Sequence, residues 1–313
     1  MAARTPPSRD TVAAPAALRA QFRRVAVLGV GLLGGSFALA ARRAGLAQEI
    51  VGYSKSPSTI RAAIAARVID RGADSALQAA TGADLVVLAV PVAAIGPLLQ
   101  QIRHGLGDSA LLMDVGSTKA DVADAAQRAL GKAALQFVPC HPIAGGELSG
   151  VQHARADLFE ARRVVVTPLD DTPSERITEA CALWERLGAN VSRMTPPEHD
   201  AAFAAVSHLP HLLAFAYVQA LTRQPKGGGY LQLAGPGFRD FTRIAASDAV
   251  MWRDVFQANG AEVLQQLQLF KQALAAFEAQ MRQGNWTQLE ALIRDASGSR
   301  QAWSAPSPAD DTD

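Results

Sequence analysis

The chain has 313 residues, 49% of them apolar, with 30 Lys and Arg against 29 Asp and Glu. That length accommodates two ordinary domains and a sizeable core. The near-neutral balance excludes a general nucleic-acid binder, and two distant cysteines, Cys140 and Cys181, exclude a disulfide framework and a Cys-based zinc site.

The first 21 residues, rich in Ala, Pro and Arg, lack the apolar core of a secretory signal and are expected to form a flexible tail. Strands are then predicted over 24–29, 49–53, 84–90, 111–115, 136–139, 163–167 and 190–194. Helices are predicted between them, over 34–45, 57–67, 74–80, 92–104, 119–130 and 174–188. A run such as Asp84-Leu85-Val86-Val87-Leu88-Ala89-Val90 is what a strand buried on both faces looks like in a parallel sheet.

From about residue 196 the strand signal vanishes. Pro196-Pro197-Glu198 marks a helix start, and a helical pattern continues over 199–221. Gly227-Gly228-Gly229 breaks it, and Gly235-Pro236-Gly237 reads as a loop. Helices resume over 247–257, 260–283 and 286–296, so residues 196–300 are expected to form an all-helical domain, with a second flexible tail over 301–313. Val263, Leu264, Leu267, Phe270, Leu274, Phe277 and Met281 are more apolar positions than a lone exposed helix carries. They point to packing within the domain or to a homodimer interface. No apolar run approaches the roughly 18 residues of a spanning helix, so no membrane association and a cytoplasmic location are expected.

The first strand ends in Gly29, and Gly29-Val30-Gly31-Leu32-Leu33-Gly34 has the spacing G-x-G-x-x-G before a helical pattern. Strand, glycine turn and helix together predict a dinucleotide site. Gly29 allows the tight turn, Gly31 the approach of a pyrophosphate, and Gly34 close packing of helix on strand, with the helix N–H groups facing the phosphates. Residues 22–195 therefore read as an α/β, doubly wound, Rossmann-like domain with its crevice at the carboxyl ends of the strands. Leu32, Leu33, Val90 and Pro91 join the expected cofactor contacts. An acid that would hold ribose hydroxyls is missing at the end of the second strand, which reads Tyr53-Ser54-Lys55-Ser56. Hydroxyls and an ammonium accept a 2′-phosphate that a carboxylate would repel, so NADP is favoured over NAD.

Four polar clusters fall where the crevice is expected: Asp114-Val115-Gly116-Ser117-Thr118-Lys119; His141 to Glu147; His199 with Ser207-His208-Leu209-Pro210-His211; and Arg239-Asp240-Phe241-Thr242-Arg243 with Trp252. His141 is a candidate general base, with a pKa near the working range of such a group. Arg239 and Arg243 are spaced as an anion clamp. Two histidines three apart are too few ligands for a metal, so none is expected.

These motifs resemble the prephenate/arogenate (cyclohexadienyl) dehydrogenases of tyrosine biosynthesis: Gly-Leu-Leu-Gly-Gly-Ser at 31–36, Asp-Val-Gly-Ser-Thr-Lys at 114–119, His-Pro-Ile-Ala-Gly at 141–145, Ser-His-Leu-Pro-His at 207–211 and Phe-Arg-Asp-Phe-Thr-Arg at 238–243 with Met251-Trp252-Arg253. The resemblance implies oxidative decarboxylation of prephenate or arogenate by NAD(P)+, to 4-hydroxyphenylpyruvate or tyrosine, in a homodimer built through the helical domain. It implies that His141 accepts the substrate hydroxyl proton, that Ser117 hydrogen-bonds that hydroxyl, and that Arg243 binds a carboxylate. His211 and Trp252 match pocket-lining residues, Glu147 and Asp240 match acids at the pocket mouth, and His199 and His208 take supporting roles. Ser54 and Gly146 depart from the family pattern. No regulatory ACT-type domain is expected, so any inhibition by tyrosine is expected at the active site. The alternatives are a β-hydroxyacid-type dehydrogenase, which would be expected to carry a lysine where 170–215 has none, and a non-catalytic NADP-binding regulator.

Overall fold

A computed structural model of the chain describes residues 22–145 and 148–303. In chain order the first half comprises β1 (Phe22–Leu28), α1 (Leu32–Arg43), β2 (Ala47–Tyr53), α2 (Pro57–Ala65), β3 (Arg71–Gly72), α3 (Ala76–Ala80), β4 (Leu85–Leu88), α4 (Val92–Ile102), β5 (Leu111–Asp114), α5 (Ala120–Leu130), β6 (Phe137–Val138), β7 (Cys140–Pro142), β8 (Arg163–Val166), α6 (Ser174–Arg186) and β9 (Asn190–Arg193). Every later element is helical: α7 (Pro196–Phe203), a π-helical turn (Ala204–His208), α8 (Leu209–Thr222), α9 (Gly227–Gln232), α10 (Pro236–Thr242), α11 (Ala249–Ala258), α12 (Gly260–Gln283) and α13 (Trp286–Ala302).

β1 to β6 form one parallel sheet in the order β3-β2-β1-β4-β5-β6. The order reverses between β1 and β4, which is where a doubly wound sheet opens a crevice. β4 and β5 are wholly buried, as continuous apolar strands covered on both faces must be. One face packs Phe37 and Phe159 edge-on against the fully buried Trp184. The other is filled by Leu88, Ile95, Leu99 and Phe137.

The structure corrects several expectations. The strand expected over 136–139 is shorter, and a further, unexpected strand follows it in a second sheet. β6 ends at Val138, and Cys140, His141 and Pro142 pair antiparallel with β8 in a second sheet, β7-β8-β9. The intervening Pro139 has no N–H to continue the ladder, and its carbonyl accepts the Thr167 N–H instead. His141 therefore sits within a strand of the smaller sheet and not at the end of a main-sheet strand. β3 has no apolar run of its own and is held by its pairing with Val51 and Gly52.

In the helical half the long run breaks after Thr222, but Gly227, Gly228 and Gly229 open α9 and do not lie in the break itself. A Cβ at Gly227 would lie 2.4 Å from the Leu221 carbonyl oxygen, so this glycine lets the helix pack on the end of α8. The segment at Gly235-Pro236-Gly237 is the start of α10, with Pro236 in the first turn. The helical run Pro196–Thr222 has 27 residues and a mean hydropathy of 1.4 in its most apolar window, so by length and composition it could cross a bilayer. Its polar residues His199, Asp200 and His208 are buried against the rest of the chain.

Candidate active site

Gly29 has a left-handed φ of +102°, and a Cβ there would lie 2.2 Å from the Ala89 carbonyl oxygen. The β1–α1 turn thus leans on the Ala89-Val90-Pro91 turn that follows β4. A Cβ at Gly34 would lie 2.0 Å from the Gly29 carbonyl oxygen, so the helix packs tightly on the turn. A Cβ at Gly31 would meet nothing within 4 Å. Gly31 is also the N-cap of α1, whose end has no side-chain cap and no acid in its first turn. Open space before uncapped N–H groups fits the pyrophosphate of NAD or NADP.

At the end of β2, Ser54 Oγ accepts the Ser56 N–H at 3.2 Å, and Ser56 Oγ lies 2.8 Å from Ser58 Oγ. Lys55 is exposed beside them. The carboxylates flanking this region are engaged elsewhere. Glu49 bridges Arg24 and Arg71, each at 2.7 Å, and Asp70 pairs with Arg42 and accepts the Ile50 N–H.

A buried ion pair ties β5 to β7. Asp114 accepts from Lys119 Nζ, the Gly116 N–H at 2.7 Å and the Cys140 N–H at 3.1 Å, while Lys119 Nζ also donates to the Cys140 carbonyl at 2.9 Å. Ser117 lies in the loop held by this pair, which fixes that loop against the strand carrying His141.

His141 reaches from β7 to the helical half. Its Nδ1 is 2.8 Å from His199 Nε2, and His199 Nδ1 is 2.8 Å from Asp200 Oδ1. Asp200 also accepts the Lys119 and Ala120 N–H groups at 2.9 Å each, at the start of α5. Phe203 stacks on His199 with centroids 4.4 Å apart and lies 4.7 Å from the His141 ring. Burial pushes the pKa of His141 well below its usual value, and the charges of His199 and Lys119 act in the same direction. Burial also lowers His199, against the opposing pull of Asp200. For Asp200, burial would raise the pKa, but the N–H donors from His199, Ala120 and Lys119 outweigh it and hold the carboxyl below its usual range. Near neutral pH the trio is thus two uncharged imidazoles on one carboxylate.

The π-helical turn separates this trio from a second group. Leu209 N–H bonds the Ala204 carbonyl, five residues back. Pro210 offers no N–H to the turn, and the Ser207 carbonyl accepts the His211 Nδ1–H at 2.9 Å. His208 is held by Asn259, whose Nδ2 also donates to the Asp200 carbonyl at 2.7 Å. His211 stacks on Trp252 with centroids 3.7 Å apart. Trp252 is buried, and among the described residues its Nε1–H has no hydrogen-bond partner. Burial lowers the His211 pKa, and the nearby Arg243 charge adds to this. Tyr217 on α8 packs against Phe238 and Phe241, which seats α10 and brings Arg243 to this end of the site.

Two family models cover the chain: the prephenate dehydrogenase nucleotide-binding domain matches residues 37–193, and the prephenate dehydrogenase dimerization domain matches 195–295. The chain belongs to the prephenate dehydrogenase family. It is 35% identical to prephenate dehydrogenase of Bacillus subtilis over 77% of its own length, and spans 65% of that protein. A crystal structure of prephenate dehydrogenase from A. aeolicus, in complex with hydroxyphenyl propionate and NAD+, has 34% identity and a TM-score of 0.83 and covers 89% of this chain and 97% of that one. Synechocystis arogenate dehydrogenase has 28% identity and a TM-score of 0.77, covering 90% and 100%. This member of the prephenate dehydrogenase family is accordingly an NAD(P)-dependent dehydrogenase.

Within this family fold, the chain brings His141, His199, His211, Trp252 and Arg243 into one region where the two halves meet. Asp240 lies exposed on α10. Glu147 lies outside the described residues, as do residues 1–21 and 304–313 of the expected tails. Sequence reasoning missed Asp200, Phe203 and Asn259. Adjacent helical residues do not normally face one another, so nothing in the pair His199-Asp200 announced their hydrogen bond.

Proposed function

We propose that this chain catalyses NAD(P)+-dependent oxidative decarboxylation of prephenate, arogenate or both, with His141 as the base. The supporting observation is the convergence of an uncharged imidazole, a guanidinium and a buried indole N–H that has no partner among the described residues, beside a glycine turn that fits a dinucleotide. The bound nicotinamide supplies the hydride acceptor. As hydride leaves C4 of the substrate, His141 Nε2 takes the C4 hydroxyl proton, and Ser117 hydrogen-bonds the same oxygen. The bond from C1 to its carboxylate breaks, its electron pair enters the ring, and CO2 leaves. The ring oxygen, then a phenolate, takes the proton back, so no net proton is released. Arg243 offers its fork of donors to a substrate carboxylate, His211 and Trp252 line the ring pocket, and Asp240 stands at its mouth.

The hydroxyls of Ser54 and Ser56, with Lys55, favour NADP over NAD. Residues 22–195 serve as the dinucleotide-binding domain and 196–300 as the substrate and dimerisation domain. Leu264, Leu274 and Met281 are more than half exposed on α12, a helix of about 36 Å, which favours a homodimer through the helical half. A cytoplasmic location suits the free thiols of Cys140 and Cys181.

Turnover of prephenate and arogenate, each with NAD+ and NADP+, tests the reading directly. His141→Asn is expected to lower kcat roughly 10²–10⁴-fold with cofactor Kd unchanged. Near-normal turnover by that variant refutes the role of His141.

A further inference from the structure

We propose that His199 and Asp200 are positioning residues that set the tautomer of His141, leaving its Nε2 lone pair free for the substrate. The inference rests on His141 being the base, as proposed above.

It follows from donor and acceptor counting along one chain of contacts. Asp200 is anchored by the Lys119 and Ala120 N–H groups at 2.9 Å, so both its oxygens face donors and it acts only as an acceptor. His199 Nδ1, 2.8 Å from Asp200 Oδ1, must then carry a proton. An uncharged His199 has its lone pair on Nε2, which lies 2.8 Å from His141 Nδ1. His141 Nδ1 must therefore donate, and its one remaining lone pair is on Nε2. One carboxylate thus dictates the tautomers of two imidazoles.

The same contacts accommodate the transient proton. When Nε2 takes the substrate hydroxyl proton, the imidazolium of His141 keeps its Nδ1–H on His199, and the positive charge is backed by the Asp200 anion. Return of the proton to the phenolate restores the starting tautomer. Among the described residues, the charged and titratable groups facing this chain from neighbouring elements are Lys119, Asp114 and Asp121 on the β5–α5 side and His208 on the π-helical turn. Phe203 covers both rings and helps keep water from competing for their nitrogens.

The test compares His199→Leu, His199→Gln and Asp200→Asn, each checked for folding by thermal melt. His199→Leu removes the acceptor for His141 Nδ1–H and is expected to lower kcat roughly 10²–10⁴-fold, with KM and cofactor Kd within about threefold of wild type. Glutamine keeps the pattern, accepting from His141 through Oε1 and donating to Asp200 through Nε2, so His199→Gln is expected to recover at least tenfold of that loss. Asp200→Asn removes the anion, and the acid limb of its kcat–pH profile is expected to move to lower pH. Should that variant not fold, the His199 pair decides alone, since it leaves the Asp200 contacts with α5 intact. Equal kcat for His199→Leu and His199→Gln, or a kcat within threefold of wild type for His199→Leu, overturns the proposal. If that happens while His141→Asn is inactive, the base assignment stands and only the positioning role fails.

Discussion

Burial keeps His141 uncharged and so available for the base role proposed above. An exposed imidazole is partly protonated near neutrality, whereas this one is kept uncharged by desolvation and by the neighbouring Lys119 charge. The trade is that a proton taken there is weakly held, which suits one that returns to the product oxygen. Ser54 shows the same kind of control at the cofactor end. With Glu49 locked between Arg24 and Arg71, the end of β2 carries hydroxyls and Lys55 at the ribose site proposed above. Ser54→Asp puts a carboxylate where a 2′-phosphate would lie. It is expected to shift the ratio of kcat/KM for NADP+ over NAD+ at least tenfold towards NAD+, about 1.4 kcal/mol. An unaltered ratio in steady-state assays places the ribose elsewhere.

The short strand β7 and the π-helical turn are the elements that assemble the site. β7 carries His141 away from the main sheet, and the Asp114–Lys119 pair fastens it there. Both side chains of that pair are fully buried. Removing the cation strands a carboxylate in the interior, so Lys119→Met is expected to cost about 3–5 kcal/mol, read as a lower Tm and denaturant midpoint. A Tm within a degree or two of wild type contradicts this. The π-helical turn lets one helical run place His199, with Asp200 behind it, on His141 and place His211 against Trp252.

The two halves of the chain are held together by buried polar groups, and stability inherits their pH dependence. His141, His199, His208 and His211 all have pKa values lowered by burial, His208 to about 4. An unfolded chain binds these protons from pH 6.5 downward while the folded one refuses them, so stability is intact above that pH and falls below it. His208 alone accounts for roughly 3 kcal/mol of loss by pH 4. Tm is expected to drop between pH 7 and pH 4.5, and less steeply in His208→Gln. Parallel curves for the two proteins would assign the loss to other groups. The exposed apolar residues of α12 and α13, among them Leu264, Leu274, Trp286 and Ile293, form a surface that a second copy would cover. Leu264→Glu with Leu274→Glu is expected to convert a dimer to monomers in sedimentation velocity. A monomeric wild type would refute that interface.

Much of the fold and part of the site could be read from residue order alone. Strand and helix alternation, the Gly29–Gly34 turn and the helices over 260–283 are local patterns, because period and turn chemistry are properties of neighbours in the chain. His141 and Arg243 stand out by side-chain chemistry, and His211 and Trp252 through the family resemblance of their motifs. Their partners do not. The transfer of Cys140–Pro142 to a second sheet depends on what Pro139 and Thr167 do across space, and the helical fate of Gly227 on its contact with Leu221. Asp200, 59 residues beyond His141, is joined to it through His199. Hydrogen bonds between distant segments leave no periodicity in a sequence, so the contacts that bear on the His141 tautomer appear only once the chain is folded.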